Sequence, residues 1–453
     1  MNKETEMEPK NIMFETMPVN RLFFKCAVPN MISMAVISLY TIADGIFVGH
    51  FIGAEALAAV NIVMPVIMIS FALSDMIAIG SSVQIAIRLG KKKEKEACVI
   101  FSVCTALIVM IACVMGLAGF FGAGGILALM GADGEVTSLA EEYIRVYAVF
   151  APLIMVYFAV DNYLRICGCV RYSMAINVST ALLNIVLDFV FIGVLGWGVW
   201  SAAFATCIGL TAGTAMGYAP FIRKKLPLRF TRGRAGRGAL LNIVYNGSSE
   251  FFSNIAGSVL MIIFNSVLLR LSGSLAVAAF SVVMYIDSVV ISALYGITDS
   301  MQPAISYCYG AGLKHRMMAV EKRVLAACAV ICLLTFIVMR TGGEYLMSLF
   351  IKEDDDMLLA MSTRAMELFS FTYFICWIGQ SMSEFFTAVN RPGISLTISM
   401  GRSLFYPSLM MFILVSHMGL DGVWLTSPFA GILTAVTATC FFIRFLRREY
   451  LYL

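Results

Sequence analysis

Apolar stretches of about 20 residues recur along the whole chain, and they restrict its fold more than any other feature. At about 1.5 Å per residue, a helix of that length crosses the hydrocarbon core of a bilayer. In lipid, only helices and closed barrels satisfy their backbone polar groups, and these stretches lack the alternating pattern of barrel strands. Of the 453 residues, 60% are hydrophobic and 13% are charged, which is too little charge for a soluble surface. The sequence therefore predicts an all-α integral membrane protein.

The apolar segments number twelve, and we expect each to form a transmembrane helix. They run approximately over residues 25–48, 57–82, 98–121, 143–165, 172–195, 199–222, 240–269, 276–302, 321–340, 363–387, 394–416 and 422–446. The first segment follows a polar stretch of about 20 residues and is too long for the apolar core of a signal peptide. We expect it to be an uncleaved spanning helix.

Basic residues cluster in alternate loops. Lys and Arg precede the first segment and follow every even-numbered one, most densely at 223–237. The loops on the other side are short or acidic, as at Asp133 with Glu135 and at residues 353–356. By the positive-inside rule, this asymmetry predicts a multi-pass protein of the cell membrane with both termini in the cytoplasm.

The chain also repeats itself. The run GAEALAAV at 53–60 recurs as GSLAVAAF at 273–280, and GVW at 198–200 recurs at 422–424. Each copy therefore holds six segments, and an even number returns the chain to the same side of the membrane. The copies are predicted to be two parallel six-helix repeats.

The repeats define the predicted domains. Residues 1–222 form an N-terminal lobe, residues 223–239 a basic cytoplasmic linker, and residues 240–453 a C-terminal lobe. Two such lobes with a site between them suit the alternating access of a secondary transporter.

Polar side chains on the first, fifth and sixth segments are predicted to lie at one depth. Asp44, Asp188 and Thr206 are each 17 to 19 residues from a cytoplasmic basic residue, counted from positions 25, 171 and 223. Asn184 precedes Asp188 by four residues and so shares its helix face. Carboxylate, amide and hydroxyl oxygens suit a small hard cation such as Na⁺, and paired desolvated acids equally well share protons. Both readings remain open here.

The alternative is that Asp44 and Asp188 lie at the wet interface and bind nothing. A carboxylate in the bilayer core costs roughly 3 kcal/mol on insertion scales, so an idle one should be rare. This cost favours a functional pair.

Four further residues are candidates for substrate binding or gating. Asp161 lies four residues before Arg165, so a local ion pair explains it as well as a substrate role. Glu250 is the strongest acid candidate of the second lobe. Arg402 lies too deep to reach the interface freely and should pair with an acid, with Glu250, Asp287 and Glu384 as candidate partners. Pro29 interrupts the first segment and is expected to bend it.

The residues resemble those of a known family. The stretch from Pro29 through YTIADGIFVG at 40–49, followed by GAEALAAV and Pro65, is similar to the opening of MATE exporters (multidrug and toxic compound extrusion). NIVLD at 184–188 resembles their fifth-helix motif. The resemblance covers nearly the whole chain and is closest to the prokaryotic DinF-like and MepA-like branch.

The resemblance implies an antiporter that exports organic, cationic or amphipathic compounds in exchange for Na⁺ or H⁺. It also implies two lobes that together form a V. It implies cation-coupling roles for Asp44, Asn184, Asp188 and Thr206, including a Na⁺ site there, with Tyr143 beside them. It also matches Asp161 to a helix-four acid of MepA-like members, and Glu250 to the second-lobe acid of other branches.

The sequence departs from the family in one respect. The helix-ten aspartate of the NorM-like branch has no match, because Cys376 and its neighbours occupy that stretch. A second-lobe Na⁺ site like that branch's is therefore not expected.

Other partners and functions are less well supported. The chain lacks a dense basic stripe with interleaved aromatic residues, which excludes nucleic acid as an expected partner. A small-molecule substrate and the lipid bilayer are the expected partners, with a monomeric chain and no cofactor beyond the coupling ion. A lipid-linked precursor flippase should have a basic cavity, whereas acids outnumber Arg402 here. A membrane-embedded enzyme is disfavoured because the three histidines lie near segment ends.

Overall fold

The computed structural model describes residues 12–130, 134–348 and 356–450, and these residues form helices joined by turns and by one longer linker at 223–236. The all-α prediction is confirmed. The acidic loop positions Asp133 and 353–355 lie outside the described residues. The α-helices, in chain order, are α1 Ile12–Thr16, α2 Val19–Phe47, α3 Ala54–Gly90, α4 Glu94–Leu129, α5 Glu135–Ile154, α6 Tyr157–Ile166, α7 Val170–Asp188, α8 Trp200–Ile222, α9 Arg237–Gly310, α10 Lys314–Ser348, α11 Asp356–Phe369, α12 Cys376–Ala388, α13 Pro392–Met400, α14 Tyr406–Met418 and α15 Leu420–Tyr450.

Ten helices among the described residues are long and apolar enough to cross a membrane. Two features of the described residues account for the difference between these ten helices and the twelve predicted segments. The 74-residue helix α9 contains non-helical backbone at Ser272 and Gly273 and is therefore two helices. The tenth predicted segment is divided into α11, the 3₁₀ turn Ser370–Phe374 and α12, so no single helix of it is long enough to count.

The sequence repeat reappears as a repeated turn. Gly53 and Gly273 begin the two copies of the repeated run, and their φ angles are 125° and 69°. Backbone of that kind is strained for any residue with a Cβ, so glycine is required where the chain leaves one span and enters the next. The repeat therefore encodes a tight reversal in each half.

The fourth and tenth spans are broken at equivalent positions of the repeat. In the first half α5 ends at Ile154 and α6 begins at Tyr157, and Thr214 donates to the freed carbonyl of Leu153 at 2.9 Å. In the second half Ile375, 220 residues after Met155, leaves helical geometry with φ −134°. Interrupted helices at matching positions of two repeats are typical of transporter binding regions.

The chain divides into two compact units. The first comprises the described residues up to Gly247 together with Ser306–Arg316, and the second comprises Ser248–Ile305 and the described residues from Met317 onward. The division falls beyond the predicted linker because the start of α9 packs on α3. A Cβ on Gly247 would lie 1.7 Å from the carbonyl oxygen of Met76, so the two backbones are in direct contact.

The basic linker is folded against the first unit. The backbone N–H of Thr231 donates to Oγ of Ser102 at 2.8 Å, and the ring of Phe230 packs on Phe101 with centroids 4.8 Å apart. The linker is thus attached to α4 by polar and aromatic contacts.

Large apolar side chains cover the outer surfaces of both units. Phe121 in the first unit and Phe412 in the second are each 81% exposed. Because a soluble protein rarely exposes so many large apolar side chains, these surfaces are suited to lipid.

Candidate functional site

Four packed helices of the first unit carry the five residues for which a cation-coupling role was predicted. Helix α2 packs on α7, α7 on α8, and α8 on α5. The side chains of all five residues are buried. Their exposed fractions are 8% for Asp44, 0% for Tyr143, 2% for Asn184, 0% for Asp188 and 8% for Thr206.

Asn184 connects α7 to α8. With its amide assigned from the surrounding donors and acceptors, Nδ2 donates to Oδ2 of Asp188 at 3.2 Å. Its Oδ1 accepts from Oγ1 of Thr206 at 3.0 Å and from the Thr206 N–H at 3.2 Å. The opposite assignment would place two oxygens face to face. Asn184 therefore holds the Asp188 carboxylate and the Thr206 hydroxyl in fixed positions.

The two carboxylates are electrostatic neighbours, and each keeps a free oxygen. Asp44 and Asp188 interact with each other, and Tyr143 interacts with both. Oδ1 of Asp44 and Oδ1 of Asp188 are both buried, and each lacks a hydrogen-bond partner among the described residues. Buried acceptors without partners are costly, so these oxygens can gain free energy from a proton or a small cation.

Both carboxylates precede a π-helical turn. The turn Val48–Ile52 begins four residues after Asp44, and the turn Phe189–Val194 begins directly after Asp188. The two turns contact each other. Such turns widen the helix locally and are frequent at functional sites.

Asp161 lies in a separate polar network of the first unit. Its Oδ2 accepts from Arg165 at 2.7 Å, and the side chains of the pair are 12% and 6% exposed. Its Oδ1 accepts from Ser173 and, at 3.2 Å, from Asn177, which in turn accepts from the hydroxyl of Tyr157 at 2.5 Å. The predicted ion pair is present, and both oxygens of Asp161 are occupied by protein donors.

The second unit contains a polar cluster around the half-buried Arg402. The guanidinium donates to Oε1 of Gln380 and interacts electrostatically with Glu250 and Glu384. Gln302 donates to Oε2 of Glu384 at 3.1 Å. The direct partners of Arg402 are thus the Gln380 amide and the Tyr295 hydroxyl, with two of its three predicted acids nearby.

The remaining predicted positions lie elsewhere. Asp287 accepts from the hydroxyl of Tyr373 at 2.8 Å. Pro29 lies inside α2, where the hydroxyl of Ser33 donates to its carbonyl oxygen at 3.1 Å.

Residues Ser173, Asn177, Gln302 and Gln380 were not identified from the sequence. Gln380 lies four residues before Glu384, and Ser173 four before Asn177, so helical spacing of polar residues was the available signal.

Comparison with known proteins gives a family match in each half of the chain. The family model described as MatE matches residues 29–190 and 251–412. The two matches begin 222 residues apart, in agreement with the internal repeat.

Similar curated proteins are described as exporters. The multidrug export protein MepA of Staphylococcus aureus (strain MSSA476) is 23% identical over 430 residues, which is 94% of each chain. The protein of the same name from Staphylococcus saprophyticus is 24% identical over 354 residues, or 77% of each.

Solved structures share the fold. A MATE protein crystallised in complex with MaL6 has a TM-score of 0.92 and 24% identity, over 98% of this chain and 99% of its own. A multidrug resistance MATE family transporter of the MOP superfamily in an outward-facing conformation has a TM-score of 0.89, with the same identity and coverage.

Proposed function

The chain belongs to the MatE family, and from this premise we propose that it is a multidrug efflux transporter of the cell membrane. The MepA relatives, which extend over 94% of the chain, support export as the activity. The exported compounds are organic and cationic or amphipathic, and the driving ion is Na⁺ or H⁺.

The observation that carries the proposal is the buried pair Asp44 and Asp188. Both carboxylates are electrostatic neighbours inside a helix bundle, and each has an oxygen without a partner among the described residues. Acids held away from water in a membrane protein are typical of proton and ion pathways. The surrounding oxygens of Asn184 and Thr206 suit a small hard cation as well.

Coupling follows from competition for this negative charge. A proton or Na⁺ that neutralises Asp44 and Asp188 removes the potential that attracts a cationic compound to the same bundle. Binding of one ligand therefore disfavours the other, and this coupling free energy is reciprocal. Inward movement of the ion down its gradient then drives release of the compound outside.

The test is efflux of an ethidium-like dye from proteoliposomes under separately imposed sodium and pH gradients. Asp44→Asn and Asp188→Asn should each abolish gradient-driven efflux, and the gradient that drives the wild type identifies the ion. Asp421→Asn is the matched control, because that carboxylate is half-exposed and pairs with Arg364 at 2.9 Å. Wild-type efflux in both carboxylate variants would refute the coupling mechanism.

The flippase alternative has less support. A lipid-linked phosphate would require basic groups, whereas the residues named around Asp44 and Asp188 carry an amide and hydroxyls. A multidrug exporter accounts for a buried acidic site without a neighbouring cation.

We also propose a gating role for the Arg402 cluster and for Pro29. Arg402 joins elements distant in sequence through Gln380 and its two acidic neighbours, so a change in this cluster would shift several helices. Pro29→Ala should slow dye turnover, because the helix α2 would lose its site of bending. Unchanged turnover in this variant would remove the bending step.

Finally, we propose that both termini face the cytoplasm and that the transporter acts as a monomer. The loop charges support this orientation. Reporters fused to either end should be active only on the cytoplasmic side. Activity outside at either end would overturn the orientation.

A further inference from the structure

Two thiols from different helices meet in the second unit. Sγ of Cys332 on α10 lies 3.8 Å from Sγ of Cys376 on α12. Cys332 is fully buried, whereas Cys376 is half-buried. All twelve cysteines of the chain are free thiols, so neither sulfur is used in a disulfide. The pair plays no part in the proposed coupling between ion and drug.

The pair lies at the break of the tenth span. Cys376 is the first residue of α12 and directly follows the interrupted segment that includes Tyr373. Asp287 and Arg402 are electrostatic neighbours of Cys376. The guanidinium of Arg402 favours a thiolate at this position, whereas burial, the Cys332 sulfur and the Asp287 carboxylate oppose it. Loss of the protons is therefore driven by formation of the metal–sulfur bonds.

The separation of the sulfurs fits a shared metal ion. Thiolates bind zinc at about 2.3 Å, so two sulfurs 3.8 Å apart subtend an angle of about 111° at one ion, close to tetrahedral. The separation of the two sulfurs need not change for both to bind the ion. A disulfide, in contrast, would require the sulfurs to approach to about 2.05 Å.

The charge of the two thiolates favours a divalent ion. Two thiolates and one divalent cation form a neutral group, which avoids the cost of a net charge in a low-dielectric interior. A monovalent ion would leave one negative charge uncompensated. Soft sulfur ligands select thiophilic metals and reject Na⁺, Mg²⁺ and Ca²⁺.

We propose that Cys332 and Cys376 bind one thiophilic divalent d¹⁰ cation, of the class of Zn²⁺ and Cd²⁺. Both thiols lose their protons, two metal–sulfur bonds form, and two protons pass to solvent for each ion bound. Water completes the coordination, because no group of three His, Cys, Asp or Glu side chains in the described ranges is arranged to hold a metal.

The first test is titration of the purified full-length protein with CdCl₂. One Cd²⁺ should bind per chain, with a cadmium–thiolate charge-transfer band in the ultraviolet and release of two protons. Cys332→Ser and Cys376→Ser should each weaken binding at least tenfold and abolish the band. Cys440→Ser, at an exposed position on α15, is the matched control and should bind as the wild type. Equal binding by all four proteins, or binding without the band, would overturn the proposal.

The second test needs no variant and so does not depend on altered proteins folding. A maleimide should alkylate the half-buried Cys376, and saturating Cd²⁺ should slow that reaction at least tenfold while the exposed Cys113 reacts at an unchanged rate. A chelator should restore the reaction. Equal alkylation of Cys376 with and without Cd²⁺ would show that the ion does not bind the pair.

Discussion

Replacement of Asp161 by asparagine separates a structural role of this residue from a role in substrate binding. Asp161 and Arg165 form an ion pair of 2.7 Å with side chains 12% and 6% exposed. Nε and Nη1 of Arg165 have no further partner in the described part of the chain. Asp161→Asn therefore leaves a buried guanidinium without a counter-charge.

The expected loss of stability is large. Removal of one partner from a buried ion pair costs about 3–5 kcal/mol. Asn also places an amide N–H₂ where Asp161 now accepts from Ser173 and Asn177, which adds to the loss. Since about 1 kcal/mol moves the midpoint of a unit of this size by roughly 2–4 °C, thermal unfolding should shift downward by about 6–20 °C.

The exposed pair Arg145–Glu141 is the matched control. It has the same i, i+4 spacing and a nitrogen–oxygen distance of 2.8 Å, but its side chains are 51% and 27% exposed. Glu141→Gln should cost about 0.3–0.5 kcal/mol, because solvent screens this pair. Burial is thus the variable that distinguishes the two pairs.

The assay is thermal unfolding of the detergent-purified protein, followed by dye efflux per folded molecule at a temperature below both transitions. Addition of Arg165→Gln to Asp161→Asn should recover part of the lost stability, since the unpaired charge is then removed. An unchanged midpoint in Asp161→Asn, together with lost efflux, would refute the structural role and favour substrate contact.

Three further perturbations test other parts of the molecule. Asn184→Ala removes a hydrogen bond to a carboxylate, worth about 1.5–3 kcal/mol, so the ion concentration that gives half-maximal efflux should rise roughly ten- to a hundredfold. An unchanged concentration would contradict the role of Asn184 in holding Asp188. Gly247→Ala places a Cβ 1.7 Å from a carbonyl of α3 and should lower the yield of folded protein, whereas Gly257→Ala has no atom within 4 Å and should not. Arg402→Met should lower the midpoint of thermal unfolding, because it leaves acidic neighbours such as Glu384 without a counter-charge. Addition of Glu384→Gln should restore part of the lost stability. No recovery in the double variant would argue against an interaction between Arg402 and Glu384.

The sequence by itself determined the class of fold and one face of the candidate site. Segment length and apolar composition are properties of the chain alone, so the spanning helices could be read directly. The repeat run at 53–60 and 273–280 also specified the two glycine turns, because positive φ angles restrict residue type locally. Asn184 and Asp188 could be assigned to one face of a helix, because residues four apart in a helix lie on the same side of it.

Only the tertiary structure decided which distant groups meet. Arg402 was expected to pair with an acid, yet packing presents Gln380 and Tyr295 to it as hydrogen-bond partners, and Glu250 and Glu384 interact with it only electrostatically. Cys332 and Cys376 are 44 residues apart and have no pattern that relates them. Side-chain partners across helices depend on helix rotation and on the breaks in the fourth and tenth spans. Those features arise from packing of the whole bundle, because hydrophobic periodicity fixes which face is apolar but not which polar atom lies opposite.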